Sequence, residues 1–305
     1  MNSAVLGSAL LVLMAGAARA GIDGLVSGSA DSGYSFLKIV PDAALGAMGE
    51  AGVALDNGPF SALLNPGTVP ATRRTVFSLS NNDWLTDATM VSAAGSFDAG
   101  PVWLTLHARV LELDGFELRD SPNPDPTGEF SLQDVCVGVN GALRITDDLG
   151  VGAGVSLVHE KLYQDDSRAV AFAAGLQWKR GPWSTGLALN HLGAAGELAG
   201  EDVNLPRRLA LGGAWSGTVT PQELPVRVAL DWITTRDEDG HVHAGAEVRP
   251  LDPLLLRAGW LGGYEDRSFT WGLGLRWRKF HLDYANLPFK RDFDDTHKFT
   301  FSFFM

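Results

Sequence analysis

His241 and His243 flank Val242 in an alternating segment, so an extended backbone places both imidazoles on one face. That spacing could hold two positions of a zinc ion, but no third ligand can be assigned, and no metal is expected. Two carboxylate clusters, "TRDEDG" (235–240) and "DFDDTHK" (292–298), miss the D-x-D-x-D-G spacing of a calcium loop. They read as solvated loops, at most bridging divalent ions or lipopolysaccharide. "GVGAGV" (150–155) spaces its glycines at every second position and opens no helix, so it is not a phosphate-binding loop. The serines and histidines form no assignable nucleophile–base set, and neither an enzyme nor a cofactor is expected. Charged residues of a different kind are Arg109, Arg144, Arg208, Arg227, Asp231, Arg257, Arg276 and Asp283. Each falls on the same parity as the small residues of its segment. Enclosed charges need partners, so these residues read either as Arg–Asp pairs lining a lumen or as a polar path that anchors a ligand carboxylate.

The elements that must carry these residues repeat a period of two. In "AVAFAAGLQW", Val170, Phe172, Leu176 and Trp178 share one face, and alanines and Gly175 supply most of the other. "PVRVALDW" and "FTWGLGLRWR" repeat the pattern, with Arg227 and Asp231 or Arg276 on the small side. About fourteen such segments follow one another between 74 and 305, most close to the ~9–11 residues that a tilted strand needs to cross a bilayer. A soluble sandwich would show Lys, Glu and Thr on its polar face. Here that face is Gly, Ala and Ser, which suits a confined lumen. The reading is an all-β transmembrane antiparallel barrel over 73–305. Tight connectors ("DAG", "TDD", "RGP", "PLDP") alternate with longer charged ones at 111–131, 192–205, 235–240, 263–267 and 287–295, the expected periplasmic and extracellular sides. The chain ends "HKFTFSFFM", read as a closing strand with Phe299, Phe301, Phe303 and Met305 towards lipid.

Bulk properties agree. Of 305 residues, 36 are acidic and 24 basic, for a net charge of -12, which argues against a nucleic-acid partner. The single Cys136 cannot form an internal disulfide and reads as a small packed residue. The apolar run 4–18 followed by Ala18-Arg19-Ala20 reads as a signal peptide over 1–20, although its n-region lacks Lys and Arg. Beyond it no apolar run reaches the ~20 residues of a spanning helix, so the expected location is the bacterial outer membrane.

Residues 33–70 do not alternate. They carry Phe36-Leu37-Lys38-Ile39, then an Ala/Gly run that includes Met48 and Gly49, then Leu64-Asn65-Pro66-Gly67. This stretch resembles the N-terminal signature of the PorV/PorQ family, relatives of the FadL fatty-acid channels. Ala44 stands where the family pattern has Arg, and Gly67 where it has Ala. The resemblance implies a fourteen-stranded barrel with residues 21–72 folded inside as a plug or hatch. It also implies a role in type IX-like secretion, with translocon subunits or secreted cargo as partners. The alternative that it leaves open is a FadL-like channel for small hydrophobic molecules such as fatty acids.

Overall fold

A computed structural model describes residues 33–70, 74–84, 88–118, 128–163, 165–194, 196–198, 201–219, 223–290 and 295–305. The signal-peptide reading over 1–20 lies outside these residues, as does most of the "DFDD" cluster. Fourteen strands close into one antiparallel barrel. In chain order they are β1 (Val76–Asp83), β2 (Thr89–Ala99), β3 (Val102–Leu118), β4 (Gly128–Arg144), β5 (Leu149–Leu162), β6 (Asp165–Arg180) and β7 (Trp183–Leu192). A short hairpin outside the barrel, β8 (Glu197–Leu198) and β9 (Glu201–Asp202), comes next. The wall resumes with β10 (Arg208–Val219), β11 (Leu224–Thr235), β12 (Glu238–Leu251), β13 (Leu254–Gly262), β14 (Phe269–Trp277), β15 (Phe280–Leu287) and β16 (Thr296–Phe304). Each wall strand pairs with its neighbours in the chain, and β1 pairs with β16 in register Val76↔Phe304 to Asp83↔His297. Closure leaves no unpaired edge, which hydrocarbon requires because no water is there to satisfy one.

The alternation sets which face meets lipid. On β14 Phe269, Trp271, Leu273, Leu275 and Trp277 are all exposed, while Thr270, Gly272 and Gly274 between them are buried. Val170, Phe172, Leu176 and Trp178 do the same on β6, and Val228 and Leu230 on β11. In a soluble protein such a belt would be an association surface. Wrapped around a closed barrel it is the lipid-facing wall, and the chain is an outer-membrane barrel. The closing strand follows the same rule. Phe299, Phe301 and Met305 are exposed, Phe303 is half-buried, and Lys298, Thr300 and Ser302 point inward. Phe280 stacks on Phe301 and Phe303, which ties β15 to β16.

The connections at the end holding Val76 and Phe304 are short, which marks that end as periplasmic. Two expected long loops on the other side prove to be strand. Most of 111–131 continues the β3–β4 ladder as far as Leu118↔Gly128, across a register shift between Leu113 and Phe116. The 235–240 connector shrinks to Arg236-Asp237. In both places the backbone ladder persists although the alternation of apolar and small residues fades.

Inside the barrel lies the N-terminal segment. A 3-10 turn (Ser35–Lys38) leads to α1 (Ala43–Ala47) and α2 (Ser61–Leu64). Asp42 caps α1 by accepting the Ala44 N–H at 2.8 Å. Nearly every residue from 39 to 55 is buried, and Ala43 and Ala47 pack on Ala285 and Leu287 of β15. Small residues let this backbone lie against the wall. Gly49, in a left-handed conformation (φ 65), meets the backbone of Gly259 so closely that a Cβ on either would clash with main-chain atoms.

Candidate functional site

The site is the contact between the N-terminal segment and the lumen wall. Its outermost part is an apolar seam. Tyr34, Phe36, Leu37 and Ile39 pack against Met90, Leu111, Cys136, Val158, Ala169, Ala171 and Leu205. The wall members between Met90 and Ala171 sit on β2 to β6 and point inward, where an aqueous pore would carry polar groups. The start of the segment is held at the outer rim by Lys38, which reaches Asp237 at 2.6 Å and Glu238 at 2.9 Å.

Arg109 marks the inner end of the seam. It is 4% exposed, with its guanidinium 5.7 Å from the Phe36 ring. Its nearest acceptors are the Leu37 carbonyl at 3.5 Å and Cys136 Sγ at 3.7 Å, and its Nε has no partner among the described residues. Below it His107 and Ser156 continue the wall in polar residues, joined at 3.4 Å.

Two ion-pair groups fix the middle of the segment. Glu50, itself at a positive φ of 59, is buried and meets Arg267 at 3.3 Å and Lys298 at 3.5 Å. Burial alone would raise its carboxyl, but Arg267 and Lys298 outweigh burial and hold it at about 2. Lys298 also donates to the Val40 carbonyl at 2.7 Å. Nearer the periplasm, Arg227 and Arg257 both bind Glu247, at 2.8 and 2.7 Å, and Arg257 binds Asp283 at 2.6 Å. Asp42 stands beside them. Burial, then the nearby Asp283, push its carboxyl up to about 6, against the pull of Asn57 and the Ala44 N–H.

The remaining residues singled out from the sequence fall as follows. Asp231 accepts the backbone N–H groups of Gly52 and Val53, at 2.6 and 2.9 Å, and so anchors the segment rather than pairing with an arginine. Asn65 Nδ2 bridges the Val53 and Leu176 carbonyls while its Oδ1 takes the Gly67 N–H, a turn around Pro66 that stitches the segment to β6. Met48 is buried against Ala51, Ala54, Leu55, Ala214 and Ala229. Arg208 is half-buried on the inner face of β10, within electrostatic reach of Asp231 and Glu50. Arg144 is exposed at the periplasmic rim, with Pro70 as its acceptor. Arg276 lines a periplasmic cavity. His241 and His243 both turn inward, and both lie against Tyr264, one stacked and one hydrogen-bonded at 3.0 Å. No group of three metal-ligating side chains occurs among the described residues. Sequence reading missed Glu50, Glu247, Arg267 and Lys298. Glu247 and Lys298 lie on the small-residue parity of their strands, which was the available signal. Glu50 and Arg267 lie outside any alternating pattern.

These features define a class: an outer-membrane β-barrel whose lumen is filled by its own N-terminal segment. Solved structures of similar fold include the CymD monoaromatic hydrocarbon channel, at TM-score 0.63 and 12% identity over 86% of this chain and 97% of that one. A TodX monoaromatic hydrocarbon channel mutant, deltaS2S3, aligns at TM-score 0.60 and 13% identity over 85% and 97%. The deltaS2 mutant of TodX aligns at TM-score 0.56 and 13% identity. No family model and no curated protein matches the chain, so the PorV/PorQ resemblance rests on the N-terminal motif.

Proposed function

We propose that this barrel is a FadL-like channel that admits small hydrophobic molecules from the outer face. The observation that carries this reading is the inward-facing apolar seam on β2 to β6, covered by Tyr34, Phe36, Leu37 and Ile39. Apolar side chains on a lumen wall lose nothing when a hydrocarbon replaces the segment that covers them, whereas water there is unfavourable. The seam is packed, so entry requires residues 34–39 to shift from the wall. That segment is held by the part-exposed Lys38 pairs, the kind of contact that costs little to break, and by Tyr34, whose N–H donates to Glu160 at 2.7 Å and whose hydroxyl bonds Ser167 at 2.6 Å, so its shift must break both. Arg109, at the inner end, would favour substrates with a polar or anionic end. The hydrocarbon channels of similar fold support the same direction.

The test is uptake of labelled toluene by cells whose lipopolysaccharide leaflet slows its unaided entry. Cells carrying the wild-type barrel are expected to take it up faster than cells without it, and Leu111→Asn, which puts an amide in the seam, to return uptake to that background. Equal uptake by both proteins would sink the reading. The secretion-associated reading keeps the N-terminal motif as its support. It would be favoured instead by envelope secretion subunits or secreted cargo that co-purify with the detergent-solubilised barrel.

A further inference from the structure

A partly open cavity lies at the periplasmic end, on the opposite side of the plug from the seam. Its volume is about 210 Å³. Arg276 and His281 of the β14–β15 hairpin line it, with Arg227 from β11, Trp103 from β3, Phe304 from β16, and Pro59 from the plug as a roof.

The charges around it are unevenly matched. Glu247 is taken by Arg227 and Arg257, and the second contact of Arg257 is with Asp283. Asp42 accepts the Ala44 N–H with one oxygen and the Asn57 amide with the other. Arg276 has none of these. No hydrogen bond or ion pair reaches its side chain among the described residues, and its Nε is buried without a partner. The carboxylates nearest to it, Glu247 and Asp283, are already bound by Arg227 and Arg257, so the half-buried Arg276 guanidinium keeps hydrogen-bonding capacity that a bound anion can use.

We propose that this vestibule is a binding site for a small aromatic carboxylate. The fork of Arg276 matches a carboxylate in two-pronged geometry, and the Trp103 and Phe304 rings offer flat apolar faces for the body of the ligand. Asp56 and Asp283 also face the space, which disfavours a multiply charged anion such as phosphate. The site does not depend on the hydrocarbon pathway, because it shares no residue with the seam.

The probe is benzoate, with benzamide and benzylamine as its neutral and cationic counterparts, followed by calorimetry on the detergent-solubilised full chain. Benzoate is expected to bind saturably and the other two not to. Arg276→Gln is expected to weaken benzoate at least tenfold, and Arg276→Lys to restore part of it. Arg180→Gln, which removes the same charge from an exposed position at the same end, is expected to change nothing. Folding of each variant is read separately, from the shift of the unboiled band on a denaturing gel, so that loss of binding is scored only on closed barrels. Should Arg276→Gln not close, Trp103→Ala is the second variant, expected to weaken benzoate. Equal binding of benzoate and benzamide, no saturable binding to closed wild-type barrel, or undiminished binding by closed Arg276→Gln would overturn the proposal. Benzoate binding and toluene uptake are separate measurements, so either can fail while the other stands.

Discussion

Glu50 shows most clearly how single residues hold this molecule together. Its carboxylate pairs with both the enclosed Lys298 and Arg267. Glu50→Gln leaves both cations short of an anion, and breaking a buried pair in this way costs about 3–5 kcal/mol. The expected result is a lower melting temperature, with the plug rather than the wall loosened first. The pH dependence has a defined sign. The folded Glu50 carboxyl sits near 2, below its ordinary 4.5, so its contribution is complete above 4.5 and is lost as pH falls towards 2. Asp42 runs the other way. Its folded value of about 6 lies above 3.8, so deprotonation erodes stability as pH rises between those values. Melting curves across this range are expected to show an acid-side slope that Glu50→Gln reduces; a slope unchanged by the substitution contradicts the assignment. Lys298 could be read from the sequence, since Phe299 and Phe301 face lipid and their neighbours must face in. Glu50 could not, because Arg267 lies 217 residues away and only barrel closure brings them together.

The strands themselves were the most legible elements. Each crosses between lipid and a lumen of small residues, and that contrast writes a period of two into the chain. Legibility ended where the contrast ended. Past Leu111 the β3–β4 ladder runs on with Glu112 and Asp114 exposed, and the charged stretch at 111–118 reads as loop although it is paired. The orientation of this hairpin can be checked directly. A cysteine at exposed Glu112 is expected to react with a membrane-impermeant maleimide on intact cells, and one at Asp252, in a short turn, only after the outer membrane is opened. The opposite pattern would invert the barrel. Plug docking depends on equally local geometry. Gly49→Val places a branched side chain at a positive φ and against the main chain of Ala244 and Trp260. In planar bilayers it is expected to raise conductance above that of the wild type, as the plug leaves the wall; unchanged conductance would mean that Gly49 is not where the plug is seated.

At the scale of the whole molecule, the barrel and its plug divide the work. The wall satisfies the backbone and meets lipid, and residues 34–70 occupy the lumen, where the proposed channel reading has them decide what passes. The apolar seam, the ion pairs behind it and the periplasmic vestibule all exist only where the two meet, so none appears in the pattern of any one strand. The motif at 36–67 reads as a plug or hatch but does not say how the segment docks, because backbone contacts such as Asp231 to Gly52 and Val53 leave no trace in composition. The most direct measurement is a crystal structure of the purified barrel exposed to bromobenzene, with bromine located by its anomalous signal. The result expected is a peak inside the lumen between Phe36 and Leu111. Bromine found solely along the lipid-facing belt, with the seam unchanged, would contradict the account.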